Sequence, residues 1–330
     1  MTTPSDRDQL KQHVSYQHPL SMGAKEWLML VGLSLVWGGS FFFNELALVD
    51  YTPVTIVWLR VTIAAACLWT LLLFKGVSLP RSRKFWFSII LMGLFNNALP
   101  FSLIVWGQQE ISSGLASILN ATMPLFTVLV AGLFLSDERL ALTKLLGVFI
   151  GLGGVVFIIG PSNLVTNNIE TADTELAKFA ILGAAICYAC ASVFGRRFQA
   201  MSIPPLLTAA SQITFASIWL LPVFIMNDGP SEFVTFNIVS VISVLSLGVV
   251  CTAFAYVSYF KILASSGATN ISLVTFLVPV SAIFLGWLFL GEQLHATHYL
   301  GMLCIAVGLA AIDGRILARL GIHTKKSLKQ

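Results

Sequence analysis

Ten stretches of this chain run for about twenty residues each with almost no charged side chain inside them. Hydrocarbon offers nothing to hydrogen-bond to, so a segment that crosses a bilayer must satisfy its own backbone. A helix of about 20 apolar residues is the element that does so. The stretches lie at about 27–49, 53–74, 85–107, 113–135, 140–160, 177–199, 204–226, 236–260, 267–290 and 297–314. Polar punctuation such as "GVSLPRSRK", "PSNLVTNNIETADTE" and "NDGPSEF" separates them. Only 10% of the residues are charged and 57% are apolar, against about 25% charged in an ordinary soluble domain. The pattern predicts an all-α integral membrane protein of ten transmembrane helices, with the lipid bilayer as its main partner. The first 21 residues are polar and lack the layout of a cleavable signal, and Met22 is a candidate start of translation.

Basic residues orient such a chain, because loops rich in Lys and Arg stay on the cytoplasmic side. With a cytoplasmic N-terminus, all of the nineteen lysines and arginines except Lys178 and Arg60 fall inside; Lys178 falls outside and Arg60 lies within the second stretch. Both termini are therefore expected in the cytoplasm.

One passage occurs twice. "LFLSDERLALTKLLGVFIGLGGVVFIIG" begins at Leu133, and "LFLGEQLHATHYLGMLCIAVGLAAIDG" begins at Leu288. Glu138 and Glu292 align at an offset of 154, as do Leu140 with Leu294, Thr143 with Thr297 and Gly147, Gly154 and Gly160 with Gly301, Gly308 and Gly314. "MGLFNNALPFSLIVWGQQEISSG" and "LSLGVVCTAFAYVSYFKILASSG" correspond more loosely and end in the same Ser-Ser-Gly. Five spans per unit is an odd number, so the second unit enters the bilayer upside down. The expected layout is a tail over 1–26, a first repeat over 27–160, an outer linker over 161–176, an inverted second repeat over 177–314 and a basic tail over 315–330. Inverted repeats are characteristic of secondary transporters, whose substrate site lies near the midplane between the halves.

The doubled five-span unit, "VWGGSFF" in the first span, "VWLR" in the second, and a proline followed by "LFLxxE" closing each half resemble the drug/metabolite transporter superfamily. The resemblance covers about 27–314 and is nearest to the bacterial ten-helix branch built from two EamA units. It implies a cavity between the halves, a bacterial inner-membrane location, and transport of small metabolites, often export of amino acids. It also implies a structural role for the arginine of "VWLR". The second half departs from the pattern: it offers "CYACASVFGRR" in place of the Trp-Gly pair, and Ser211 and Gln212 where the second span has Arg60.

Candidate cavity residues follow from helical spacing. Trp37, Ser40, Phe41 and Asn44 stand at i, i+3, i+4 and i+7, one face that is either a cavity wall or a packing surface. Asn96 and Asn97 lie in the middle of the third span beside Pro100. Two amides facing lipid would cost several kcal/mol, so at least one turns inward, toward substrate or a neighbouring helix. Tyr188 and Ser192 in the sixth span, Thr252, Tyr256 and Tyr259 in the eighth, and Asn120 and Asn270 in the fourth and ninth are further inward candidates. Pro100, Pro124 and Pro279 are expected to break the third, fourth and ninth spans, exposing backbone groups. Arg60 lies about 10 Å along its helix from Pro53. An intramembrane charge needs a partner, and Glu45 and Glu110 are available; the alternatives are a carboxylate-binding arginine, an inter-helix ion pair or a snorkelling side chain. Glu138 and Glu292 read as acids at the starts of the helices that follow them, and Gly147, Gly151 and Gly154 as a close-packing stripe.

Other chemistries lack their residues. "CYAC" has no second cysteine pair, and "HATH" has too few ligands for a metal set. No P-loop and no GxSxG occur. The chain is thus expected to be neither an enzyme nor dependent on a cofactor, metal, ATPase subunit or nucleic acid. No acid or histidine sits near mid-span, which favours a facilitator or an antiporter that couples through Glu45 or Glu110. A phosphorylated substrate would need several cavity cations, and one is present at most. Small neutral or zwitterionic metabolites such as amino acids rank first, amphiphilic organic cations second. A nucleotide-like metabolite imported on the same fold is the remaining rival.

Overall fold

In the computed structural model, residues 23–135, 142–159, 172–201, 203–229 and 237–313 are described. Among them every regular element is helical: α1 (Ala24–Leu48), α2 (Pro53–Phe74), α3 (Arg83–Gly107), α4 (Ser113–Phe134), α5 (Leu142–Ile159), α6 (Ala172–Ala200), α7 (Pro205–Asn227), α8 (Ile238–Ser266), α9 (268–290, in pieces) and α10 (Ala296–Asp313). Seven of these helices are long and apolar enough to cross a membrane; the shorter apolar stretches are Lys144–Ile158, Val274–Leu290 and Ala296–Ile312. Leu28, Leu73, Phe74, Phe149, Met226 and Phe289 stand exposed on the outside. An exterior of large apolar side chains at this density suits acyl chains rather than water.

Local chemistry sets the helix starts. Thr52 accepts a hydrogen bond from the Thr55 N–H at 3.2 Å and Pro53 opens α2, where its missing N–H costs nothing. Ser82, Ser112 and Asn237 cap α3, α4 and α8 in the same way. Gly291 leaves α9 with φ +68°, a conformation that suits glycine.

The helices pack in matched pairs. α1 lies on α9 and α6 on α4; α3 lies on α6 and α8 on α1; α3 lies on α7 and α8 on α2. Each pair becomes its companion when every helix is advanced by five. The remaining large contacts, α2 with α7 and α5 with α10, are their own companions. Both of these pairs are antiparallel. Along α2 and α7, Thr55 meets Asp228, Trp58 stacks on Phe224 at 4.3 Å, and Trp69 bonds Thr214 at 2.8 Å. Between α5 and α10, a Cβ placed on Gly147 would lie 2.6 Å from the Gly308 carbonyl, and one on Gly154 would lie 2.6 Å from the Gly301 carbonyl. The glycines duplicated in sequence therefore bring two backbones together, as small residues do in bilayers.

Two expectations are corrected. Glu292 does not serve the helix that follows it. Its carboxylate accepts from the Ser113 N–H (2.8 Å), the Ser113 hydroxyl (2.9 Å) and the Gly114 N–H (3.1 Å), holding the start of α4 from the far end of α9. The attraction to a helix N-terminus is as expected, but the helix belongs to the other half. Glu138 lies outside the described residues. The interruptions of α4 and α9 also fall ahead of their prolines. α4 is interrupted at Ala121–Thr122, because Pro124 cannot serve the carbonyl four residues back, on Asn120. α9 is interrupted at Ser272–Leu273, and Pro279 sits within the following helix Val274–Leu285. Pro100 does not interrupt α3 at all; a π-helical turn at Leu94–Ala98 precedes it, with the Leu99 N–H reaching the Leu94 carbonyl.

Two stability outcomes follow, each read as the thermal midpoint of purified protein. Gly154→Ala should destabilise by about 1–3 kcal/mol because backbone blocks the new methyl, while Gly153→Ala, with nothing within 4 Å, should shift stability by less than about 0.5 kcal/mol. Glu292→Ala should cost about 1–2 kcal/mol, and Glu292→Gln less, since an amide oxygen still accepts.

Candidate functional site

Among the described residues the apolar interior has two large clusters and a smaller one around Phe85, Ile89 and Phe198. One large cluster gathers Leu30, Leu33, Leu119, Leu125, Ile181 and Ile305, the other Ile56, Val57, Leu68, Leu207, Ile213 and Leu247. Tyr188 and Val36 pack against both. At this junction four helices contribute a polar layer.

Its hub is the Tyr256 hydroxyl on α8. Asn97 Nδ2 donates to it at 3.1 Å, Gln212 Nε2 at 3.2 Å and Asn96 Nδ2 at 3.3 Å, and Asn96 Nδ2 also lies 3.4 Å from Gln212 Oε1. Asn97 is wholly buried, yet its Oδ1 has no hydrogen-bond partner, nor has the Oγ of Ser211 beside Gln212. On the α2 side, Arg60 Nε donates to Thr252 Oγ1 at 2.9 Å and the guanidinium rests over the Phe101 ring, 4.0 Å from its centroid. Trp37 on α1 meets Tyr259 on α8 with ring centroids 5.8 Å apart.

Backbone irregularities place these groups. Asn96 and Asn97 ride on the π-turn of α3, and Cys251 and Thr252 ride on a second one, Val249–Phe254, in α8. A π-turn adds a residue to the helical circuit and re-aims what it carries, which is why such turns recur at functional sites. A glycine precedes each turn and seats it on a neighbour. A Cβ on Gly93 would lie 2.7 Å from the Gln212 carbonyl of α7; one on Gly248 would lie 2.7 Å from Ile63 and 3.1 Å from the Arg60 carbonyl of α2.

The remaining candidates are spread more widely. Asn44 Nδ2 donates to Gln108 Oε1 at 2.8 Å, and Gln108 Nε2 donates to the Phe41 carbonyl and to Glu45 Oε1, forming a second polar group at the far end of α3. Ser40 spends its hydroxyl on the Trp37 carbonyl at 2.6 Å, and Phe41 is buried against the first cluster. Asn120 Oδ1 is buried without a partner, and Asn270 Nδ2 donates to the Ser266 carbonyl. Ser192 is exposed, one turn beyond Tyr188, and stays out of the layer. Neither carboxylate offered for Arg60 reaches it: Glu45 is held by Gln108 and Glu110 is exposed. Gln108 stands at the polar end of an apolar run and reads as loop in the sequence. Gln212 enters there only as a departure from the repeat, although an amide inside an apolar span is signal enough.

Among the described residues, an all-helical fold with an apolar exterior and an inner layer of amides, phenols and one cation between the two larger apolar clusters belongs among the membrane transport proteins. The family is specific: the chain belongs to the EamA-like transporter family, which it matches twice, over residues 24–160 and 176–312, within the drug/metabolite transporter superfamily. It is similar to the uncharacterized transporter YoaV of Bacillus subtilis, 29% identical over 286 residues, covering 86% of this chain and 95% of that one. An uncharacterized transporter of Archaeoglobus fulgidus is 27% identical, covering 80% and 89%. The protein PagO of Salmonella typhimurium is 26% identical, covering 86% and 90%. A solved crystal structure shares the fold with a TM-score of 0.63 at 20% identity, covering 89% of this chain and 99% of that one.

Tyr256→Phe should leave three amide donors without their shared acceptor and lower stability by about 1–3 kcal/mol, whereas Tyr259→Phe, whose ring contact survives, should cost less than about 1 kcal/mol. Thermal unfolding of the two variants side by side checks this.

Proposed function

We propose that this protein is a secondary transporter that exports small neutral or zwitterionic metabolites, amino acids among them. It works by alternating access around a central site between two inverted repeats of five transmembrane helices. The buried Asn96–Asn97–Gln212–Tyr256 layer carries the reading, because it joins α3 of the first half to α7 and α8 of the second and retains unpaired acceptors. The inverted repeat is supported by two observations. Helix contacts map onto one another when advanced by five, and the helices so related, α2 with α7 and α5 with α10, run antiparallel. The basic-residue pattern supports cytoplasmic termini, and the resemblance to the bacterial EamA branch supports an inner-membrane location.

Substrate class follows from what the layer lacks. Four amide or phenol side chains and one cation suit a molecule with little net charge, whereas a phosphorylated or nucleotide-like metabolite calls for several cations. The Trp37–Tyr259 pair favours organic cations as a second reading, since aromatic faces attract them.

Reconstituted into liposomes preloaded with single amino acids, the protein should show counterflow that saturates between micromolar and millimolar substrate. Asn97→Ala and Trp37→Ala should lower the rate by tenfold or more. Flux that rises linearly with concentration and shows no counterflow would mean a channel. Saturable flux of organic cations alone would select the second reading. Orientation is read separately: an added cysteine at the C-terminus should resist a membrane-impermeant maleimide in intact cells and react after permeabilisation.

A further inference from the structure

Resting on the transporter reading, we infer that Arg60, with Tyr256 and the amides around it, is the receptor for a carboxylate group on the substrate. Three features of the layer lead there. The first is charge. Arg60 is only 6% exposed, and among the described residues no carboxylate lies within ion-pair distance of it. The acids near the same helices are occupied elsewhere: Glu45 accepts from Gln108, Asp228 from Thr52 and Thr55, and Asp50 from Ser240. A buried cation is costly without an opposing charge, and the protein supplies only a hydroxyl and an aromatic ring.

The second feature is hydrogen-bond supply. A guanidinium has five N–H donors, and Thr252 takes one of them. Thr252 has no further capacity to donate to a ligand, because its own proton goes to the Leu247 carbonyl at 2.8 Å. At the hub, three amide nitrogens converge on Tyr256, whose hydroxyl oxygen has two lone pairs, so the donors there outnumber the acceptor sites. A layer with excess donors and one positive charge is completed by an acceptor-rich group carrying one negative charge. A carboxylate is that group, and a guanidinium binds it with two parallel bonds.

The third feature is what remains for the rest of the molecule. Asn97 Oδ1 and Ser211 Oγ are buried acceptors without partners, and the Tyr259 ring, with Trp37 against it, stands one helical turn from Tyr256. Those groups suit an ammonium. Carboxylate and ammonium together describe an amino acid, with the carboxylate as the obligatory part.

The first arm of the test compares ligands on the unaltered protein, where no variant has to fold, and the second adds variants at Arg60. Each of the twenty common amino acids is measured against its α-carboxamide by thermal shift of purified full-length protein and by competition in counterflow. The expected result is that an active acid loses at least tenfold in apparent affinity when its carboxylate becomes a carboxamide. Arg60→Gln should weaken the acid by a similar factor while leaving the affinity for the amide unchanged, and Arg60→Lys should recover part of the loss. Amides that compete as well as their acids would overturn the carboxylate receptor while leaving the carrier in place. Arg60→Gln that lowers acid and amide equally would return Arg60 to a structural role. Absence of saturable counterflow with either series would overturn the amino-acid carrier itself.

Discussion

A carbonyl without a partner in hydrocarbon costs several kcal/mol, and that penalty decides where this chain can depart from the helix. Three of the interruptions carry a threonine whose hydroxyl bonds back to a carbonyl there. In α8 the Thr252 hydroxyl serves the Leu247 carbonyl where the π-turn displaces the ladder. Where α4 is interrupted, the Thr122 hydroxyl serves the Leu119 carbonyl at 2.6 Å. Where α9 restarts, Thr275 serves Ser272 at 2.7 Å. A hydroxyl bonded back into its own helix lets the backbone change course without exposing a dipole to lipid. The irregular turns could then be placed where the polar layer needs them.

Close backbone contact is the second constraint. No hydrophobic effect drives helices together inside a bilayer, so association depends on packing and on polar contacts. The glycines of α5 and α10 supply the packing, and Glu292, reaching from the end of α9 to the start of α4, supplies a charged contact across the halves. The same device appears in the interior, where Gly93 and Gly248 press their π-turns onto α7 and α2. Asn96 can approach Gln212, and Thr252 can approach Arg60, because no side chain separates the helices at those two points.

Features with a periodic or compositional signal were legible in the sequence. Apolar runs marked the helices, and the passage repeated at Leu133 and Leu288 marked α5 and α10 as counterparts. The close-packing role of Gly147 and Gly154 followed from their residue type. Asn96, Asn97 and Tyr256 stood out because polar side chains are scarce in apolar spans. What stayed hidden depended on contacts between distant segments. Glu292 attends a helix start nearly 180 positions away, and its neighbours in sequence say nothing of that. Ser40 has the spacing of a cavity residue, but its hydroxyl turns back to its own helix. Pro124 and Pro279 look alike in sequence, yet only Pro124 lies close enough to an interruption to explain it. No spacing rule reveals which hydroxyl a buried arginine will choose, so Thr252, an inward candidate by spacing, is identified as the partner of Arg60 only by the fold.

The two halves agree where they pack and differ in the polar layer. Gly93 of α3 seats on Gln212 of α7, and Gly248 of α8 seats on Arg60 of α2, so Gln212 and Arg60 hold equivalent places in the two halves. Had both positions kept the same residue, a ligand between them would meet the same chemistry from either side, and the site would suit a symmetric molecule or have no preferred orientation. A neutral amide on one side and a cation on the other polarise the layer. The partners follow suit: Gln212 bonds Asn96 and Tyr256, and Arg60 bonds Thr252. A ligand with a charged end and a neutral or oppositely charged end then has one favoured orientation, and a carrier whose halves exchange roles can keep that orientation through the cycle. On the proposed transport reading, divergence at this pair of positions gives the layer a direction of binding.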